Sequence, residues 1–331
     1  MTTYKGLKGT KIQNITSDAI ASQALGGTWS SGGSVNSARE DMGAAGTVTA
    51  GIIYGGTPSP LGAYTETYNG SSWTEVSDLN TARYALAGTN QGTTTATLAI
   101  GGFVPPVQNT VESWNGSSWT ETTEINSARR LLAGAGTSTA GLVFGGSTSN
   151  PPVVPGTTAI AESWNGSAWT EVGDLNTARY ALGGVGTNTA SLAFGGNPGP
   201  SANTESWNGS SWTEVNNLND AREKLAAGGV STDALTFGGN TPPSTGNTEH
   251  FDGTSWTELS NLATARHALS GAAGTSNSSA AFAASGYANP PGALSTATEE
   301  WSAPATFRKI NVGDIYYNAD PSSGVIKYVG Y

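Results

Sequence analysis

Two residue types recur in this 331-residue chain at spacings that could do chemistry: an arginine and a glutamate. Ala-Arg pairs end at Arg39, Arg83, Arg129, Arg179, Arg222 and Arg266, separated by 44, 46, 50, 43 and 44 residues. A glutamate follows each one: Glu66, Glu112, Glu162, Glu205, Glu249 and Glu299. Converging arginines and acids can hold an anionic substrate and stabilise developing charge. Spread one per repeat, the same residues tie strands together as buried ion pairs, where an unpartnered charge would be costly. Identical placement in all six copies favours the second use, so the six arginines are read as framework.

Other chemistry is sparse. The chain has no cysteine and two histidines, His250 and His267, so it offers no thiolate nucleophile or cysteine metal site. No glycine-rich loop opens a helix to cradle phosphate. The expectation is a protein with no catalytic residues, no cofactor and no metal, and therefore not an enzyme. Four Asn-Gly-Ser triplets match an N-glycosylation sequon, but turn chemistry explains them. Net charge is −10, and residues 12–307 hold 8 basic and 22 acidic residues. Such a body repels nucleic acid. No apolar run approaches the roughly 20 residues of a membrane span, so no membrane insertion is expected. Residues 1–23 carry Lys5, Lys8 and Lys11 without the apolar stretch of a secretory signal.

These residues sit in a repeating element pattern. A tryptophan lies ten residues before each arginine: Trp29, Trp73, Trp119, Trp169, Trp212 and Trp256. Gly-Gly pairs begin at Gly55, Gly101, Gly145, Gly195 and Gly238, with Ser285-Gly286 in the sixth copy. An aromatic residue stands two after each glutamate. Each unit predicts four short antiparallel strands: one after the arginine (180–186 in the fourth unit), one ending at the glycine pair, one carrying the glutamate, and one carrying the tryptophan. An Asn-Gly or Asp-Gly link predicts a tight turn with positive φ angles between the last two. Four strands about every 45 residues describe a propeller blade. The chain opens with a fourth-strand element at Trp29 and ends its repeats with a third-strand element at Trp301, so pairing these would complete a sixth blade and remove an exposed edge. The expected fold is all-β: a six-bladed β-propeller over 26–303, closed by an N-terminal strand, with an N-terminal arm over 1–25 and a C-terminal β-hairpin over 304–331.

The order Ala-Arg, Gly-Gly, Glu-x-aromatic, Trp resembles the kelch repeat, although kelch units commonly place proline before the arginine and every unit here has alanine. The chain is also similar to kelch-like proteins of marine phages. The segments 312–318 and 323–328 resemble a hairpin recurring in phage structural proteins, and residues 1–6 look like their N-terminal start. The resemblance implies a virion location and contacts with other virion proteins through the arm and the hairpin, within a larger assembly. Kelch-like copper oxidases need histidine ligands and a cysteine-linked tyrosine, which this chain lacks. Residues 251–256 look like a sialidase Asp-box but lack the residue between aspartate and glycine.

Variation is concentrated in the connections between second and third strands, at 57–64, 103–110, 147–160, 197–203, 240–247 and 287–297, which hold thirteen of the fifteen prolines. Alternating strand direction places all six on one face, and variable loops on a constant scaffold are a common way to build a binding surface. The expected binding residues are Tyr64, Phe103, Pro105, Pro106, Pro151, Pro152, Pro242, Pro243, Tyr287, Pro290 and Pro291. The function expected is a non-enzymatic virion structural or adhesive protein, with a host surface glycan or protein as partner. The alternative is a glycan-binding or glycan-cleaving propeller; these loops hold no acid, and hydrolysis uses a carboxylate pair.

Overall fold

A computed structural model describes residues 12–14, 27–58, 61–150, 156–274, 278–303, 315–317 and 326–328. Apart from one 3-10 turn, Leu61–Ala63, every regular element among them is a β-strand, and no helix is long and apolar enough to cross a membrane. The chain divides into two compact units, residues 27–302 and a small one built from both termini.

The larger unit holds six four-stranded antiparallel sheets, one per sequence repeat. The fourth unit is representative, with strands Gly183–Gly186, Ser191–Phe194, Thr204–Trp207 and Trp212–Val215 in sequential order. Gly183 lies opposite Phe194, Phe194 opposite Thr204, and Trp207 opposite Trp212. The first strand is shorter than the predicted 180–186 because Ala181 adopts φ 54, a left-handed conformation that breaks extended pairing. The sixth sheet is assembled from both ends of the repeat region: Thr28–Ser31 pairs with Thr298–Ser302, with Trp29 opposite Trp301.

Side-chain type follows strand position. Second strands are buried on both faces, as in Leu192, Ala193 and Phe194, all 0% exposed. Fourth strands, at the sheet edge, are mostly open: Trp212 is buried while both Thr213 and Glu214 are exposed. First strands are rich in glycine and alanine because neighbouring sheets approach closely there; a Cβ on Gly184 would stand 2.5 Å from the ring of Phe144. The core lies between successive sheets. One cluster joins Phe144 and Ala161 of the third unit to Leu182, Trp207 and Trp212 of the fourth. Each fully buried Leu or Phe side chain there contributes about 1.5–3 kcal/mol.

No single sheet closes on itself, but backbone hydrogen bonds join the units in two complete cycles. Ala85 N donates to Asp41 O (2.8 Å), Leu131 N to Ala85 O, Ala181 N to Leu131 O, Lys224 N to Ala181 O, Ala268 N to Lys224 O, and Asp41 N to Ala268 O (2.9 Å). All six residues have positive φ, between 51° and 56°. The second cycle runs from the last glycine of each pair to the next unit's arginine carbonyl, as in Gly146 N to Arg179 O, and returns from Gly286 N to Arg39 O, both 2.8 Å.

The link between third and fourth strands differs from the predicted tight turn with positive φ angles at both Asn and Gly. Tyr68 pairs with Trp73, leaving residues 69–72 as a four-residue loop. Only the glycine has positive φ (Gly70, 89°); the asparagine acts through its side chain, whose Oδ1 accepts from the amides of Ser71 and Ser72.

In the small unit, Ile315–Tyr317 and Ile326–Tyr328 pair antiparallel; the rest of 304–331 lies outside the described residues. Of the N-terminal arm only Ile12–Asn14 lies among the described residues, and it pairs parallel with Ile326–Tyr328.

Candidate functional site

The repeated arginines and glutamates form ion pairs inside each unit rather than one pocket. Arg39 meets Glu66 at 2.6 Å, Arg129 meets Glu162 at 2.7 Å, Arg179 meets Glu205 at 2.8 Å, Arg222 meets Glu249 and Arg266 meets Glu299 at 2.9 Å, and Arg83 pairs with Glu112. Every guanidinium is buried, and burial lowers the six arginine pKa values while the partner glutamates oppose the shift. The other carboxylate oxygen of each glutamate accepts an amide N–H of the linker entering the unit, from Asn36 N to Glu66 through Ala263 N to Glu299. Five guanidiniums also donate to carbonyls at the end of the second strand and before the third, as Arg179 does to Gly195 O and Asn203 O. Through these terminal-nitrogen bonds the five groups hold the strand-two to strand-three loop in place, while the buried Nε of Arg83, Arg179, Arg222 and Arg266 has no hydrogen-bond partner among the described residues.

Those loops and the residue after each arginine share one end of the unit. Glu40 bridges to Thr57, Tyr84 to Phe103, Arg130 to Ser147, Tyr180 to Asn197 and Glu223 to Asn240, while His267 pairs with Tyr287. Sequence reading passed over this position, although its signal was available: the arginine is constant and the next residue is not. The left-handed residues Asp41, Ala85, Leu131, Ala181, Lys224 and Ala268 come next and line a dimple of about 100 Å³.

The dimple has two chemically different sides. In units five, six and one, Lys224 Nζ reaches Asp41 Oδ2 at 3.3 Å, with Glu40, Glu223 and His267 nearby in sequence. Burial pulls the Lys224 pKa down, but Asp41 and Glu40 outweigh it and leave the lysine above its ordinary value. Burial and Asp41 raise Glu40, while burial and Lys224 lower His267, which is therefore neutral near pH 7. In units two, three and four the dimple is lined by Ala85, Leu131 and Ala181, which follow Tyr84, Arg130 and Tyr180 in sequence. Phe103 packs edge-on against Tyr84 at 5.5 Å and lies under the Arg130 guanidinium at 5.8 Å.

The predicted binding residues separate into different roles. Pro105, Pro106, Pro242, Pro243, Pro290 and Pro291 are exposed at the loop tips. Tyr64 and Tyr287 are half-buried, Tyr287 against the His267 ring at 5.3 Å. Phe103 is 8% exposed and serves as packing beneath Tyr84. Pro151 and Pro152 lie outside the described residues.

Deeper in, the first strands enclose a space of about 120 Å³. The second unit has a two-residue insertion here, visible as 18 residues from Arg83 to Gly101 against 16 from Arg129 to Gly145. The inserted segment straps three other units: Gly46 N donates to Gly92 O (3.0 Å), Gln91 N to Gly136 O (3.1 Å), and Asn90 Nδ2 to Gly184 O (3.1 Å). Among the described residues no group of three or more His, Asp and Glu is placed to hold a metal ion.

No protein-family model matches this chain, and no curated protein is significantly similar to it. Any functional reading therefore rests on the chain's own geometry and on sequence resemblance.

Proposed function

We propose that the chain is a closed six-bladed kelch-like β-propeller acting as a non-enzymatic virion structural or adhesive protein, with the variable-loop end as its contact face. The observation that carries this reading is the contrast between frame and face. Six near-identical buried Arg–Glu pairs fix the scaffold, while exposed loop tips and the positions after the arginines differ from unit to unit. The two cycles of inter-unit hydrogen bonds support closure, as does the Trp29–Trp301 strand pair. The phage assignment is supported by the sequence resemblance of the repeats and of both termini, through which the chain would join other virion proteins.

A glycan-binding reading draws on the paired aromatic rings Tyr84–Phe103 and His267–Tyr287 beside the dimple, since aromatic faces suit sugar rings. It shares the same face and needs no catalysis.

The test of the virion role is peptide mass spectrometry on purified phage particles from cultures expressing this chain. Its peptides should co-purify with the particles through a density gradient. Recovery only in the particle-free fraction would overturn the assignment.

A further inference from the structure

The turns between third and fourth strands carry a chemistry that the adhesive reading does not use. Asn115 Oδ1 accepts three hydrogen bonds, from Ser117 N, Ser117 Oγ and Ser118 N, each 2.9 Å. Asn69 makes the same three with Ser71 and Ser72, Asn165 with Ser167 and Ala168, and Asn208 with Ser210 and Ser211, all between 2.9 and 3.0 Å. All four asparagines are exposed. Each precedes a glycine with φ between 89° and 95°, whose amide nitrogen has no side chain to shield it.

We propose that these four turns are self-modifying deamidation sites. The amide nitrogen of Gly116 loses its proton to solvent and bonds to Cγ of Asn115. The Cγ–Nδ2 bond breaks, and Nδ2 takes up a proton and leaves as ammonia. One water then opens the five-membered imide to aspartate or isoaspartate. The bond-forming step develops negative charge on Oδ1, where three donors already converge, so the turn supplies in the ground state the stabilisation that the tetrahedral intermediate requires. No oxidant or cofactor is consumed.

The fifth unit shows that the product fits. Asp252 occupies the same position before Gly253, and its Oδ1 accepts from Thr254 N and Ser255 N at 2.9 Å, as the asparagines do. Complete conversion would add four negative charges to the formal −10 of the chain. The new charges would lie at the end of the sheets opposite the variable loops, because the turn and the loop flank opposite ends of each third strand, as Trp164 and Ala161 do in the third unit. One face would grow more acidic with age while the other is unchanged.

The test is peptide mapping by mass spectrometry of the purified full chain held in neutral buffer over time, beside short synthetic peptides of the same four turn sequences. Replacement of NH2 by OH should accumulate at Asn69, Asn115, Asn165 and Asn208 several-fold faster in the folded chain than in the peptides. The linker residues Asn126 and Asn176, exposed but followed by Ser127 and Thr177 rather than glycine, should stay intact. Ser117→Ala should slow Asn115 alone, with the other three turns in the same molecule as internal controls. Conversion no faster than in the peptides, or an unchanged rate at Asn115 in S117A, would overturn the proposal.

Discussion

Arg179 and Glu205 are joined inside the fourth unit by a 2.8 Å ion pair with both side chains 1% exposed. The glutamate's second oxygen takes Asn176 N at 2.7 Å and Asn176 Nδ2 at 2.9 Å, so one carboxylate fixes both a strand and the linker that enters the unit. Removing one partner strands a buried charge, whereas removing both does not. Arg179→Ala should therefore cost about 3–5 kcal/mol, and the double change Arg179→Met with Glu205→Leu should cost clearly less. Urea denaturation of the two variants checks this. Equal, small losses would mean that the pair contributes no framework.

Tryptophans of the fourth strands test packing between neighbouring units. Trp119 donates to Thr65 Oγ1 of the preceding unit (3.0 Å), Trp256 to Thr204 (3.1 Å), Trp73 to Thr298 (2.8 Å) and Trp29 to Thr248 (3.0 Å). At the equivalent place Trp212 faces Ala161, and its buried Nε1 has no partner. Ala161→Thr should satisfy that donor and raise stability by about 1 kcal/mol. A lower denaturation midpoint in A161T would show that the site cannot accept the hydroxyl.

Ring closure can be tested covalently because the chain contains no cysteine. Thr28 lies opposite Ser302 across the strand pair that joins the two ends of the repeat region. The double variant Thr28→Cys, Ser302→Cys should form an intramolecular disulfide on mild oxidation. Cross-linking so long a loop should raise stability by about 4–5 kcal/mol if geometry is unstrained. Non-reducing electrophoresis and thermal melts read the outcome; two free thiols in the folded protein would contradict the pairing.

Much of the scaffold was legible in sequence, because the residues that build it have single physical uses. Glycine pairs end second strands, a buried arginine needs a glutamate, and Trp29 without a preceding third strand needs Trp301. What escaped notice depends on three-dimensional convergence. The left-handed residue after each arginine's neighbour is Asp, Ala, Leu, Ala, Lys or Ala, and none of these types announces positive φ. The Asn90 strap rests on a two-residue insertion whose partners are far away in sequence. Phe103, chosen for its exposure in a proline-rich loop, is buried beneath Tyr84 because the loop folds back onto the residue after Arg83. Ser285 replaces a glycine at φ 58, yet its hydroxyl donates to Arg39 O at 2.7 Å and accepts from Arg39 N at 2.9 Å, so a serine there strengthens the join between the sixth and first units.

The central claim is that the variable-loop end, and not the frame, makes contact with a partner. On the proposed virion role, the most direct measurement is adsorption of fluorescently labelled protein to bacterial host cells, for the wild type and for a variant with loops 147–160 and 287–297 shortened. The exposed loop tips Pro105, Pro106, Pro242, Pro243, Pro290 and Pro291 carry no charge, so adsorption through them, rather than through Glu40, Arg130 and Glu223 at the same end, should change little between low and high salt. The account predicts that the shortened variant folds normally and loses adsorption. Equal adsorption by both proteins, or wild-type adsorption abolished by salt alone, would contradict it.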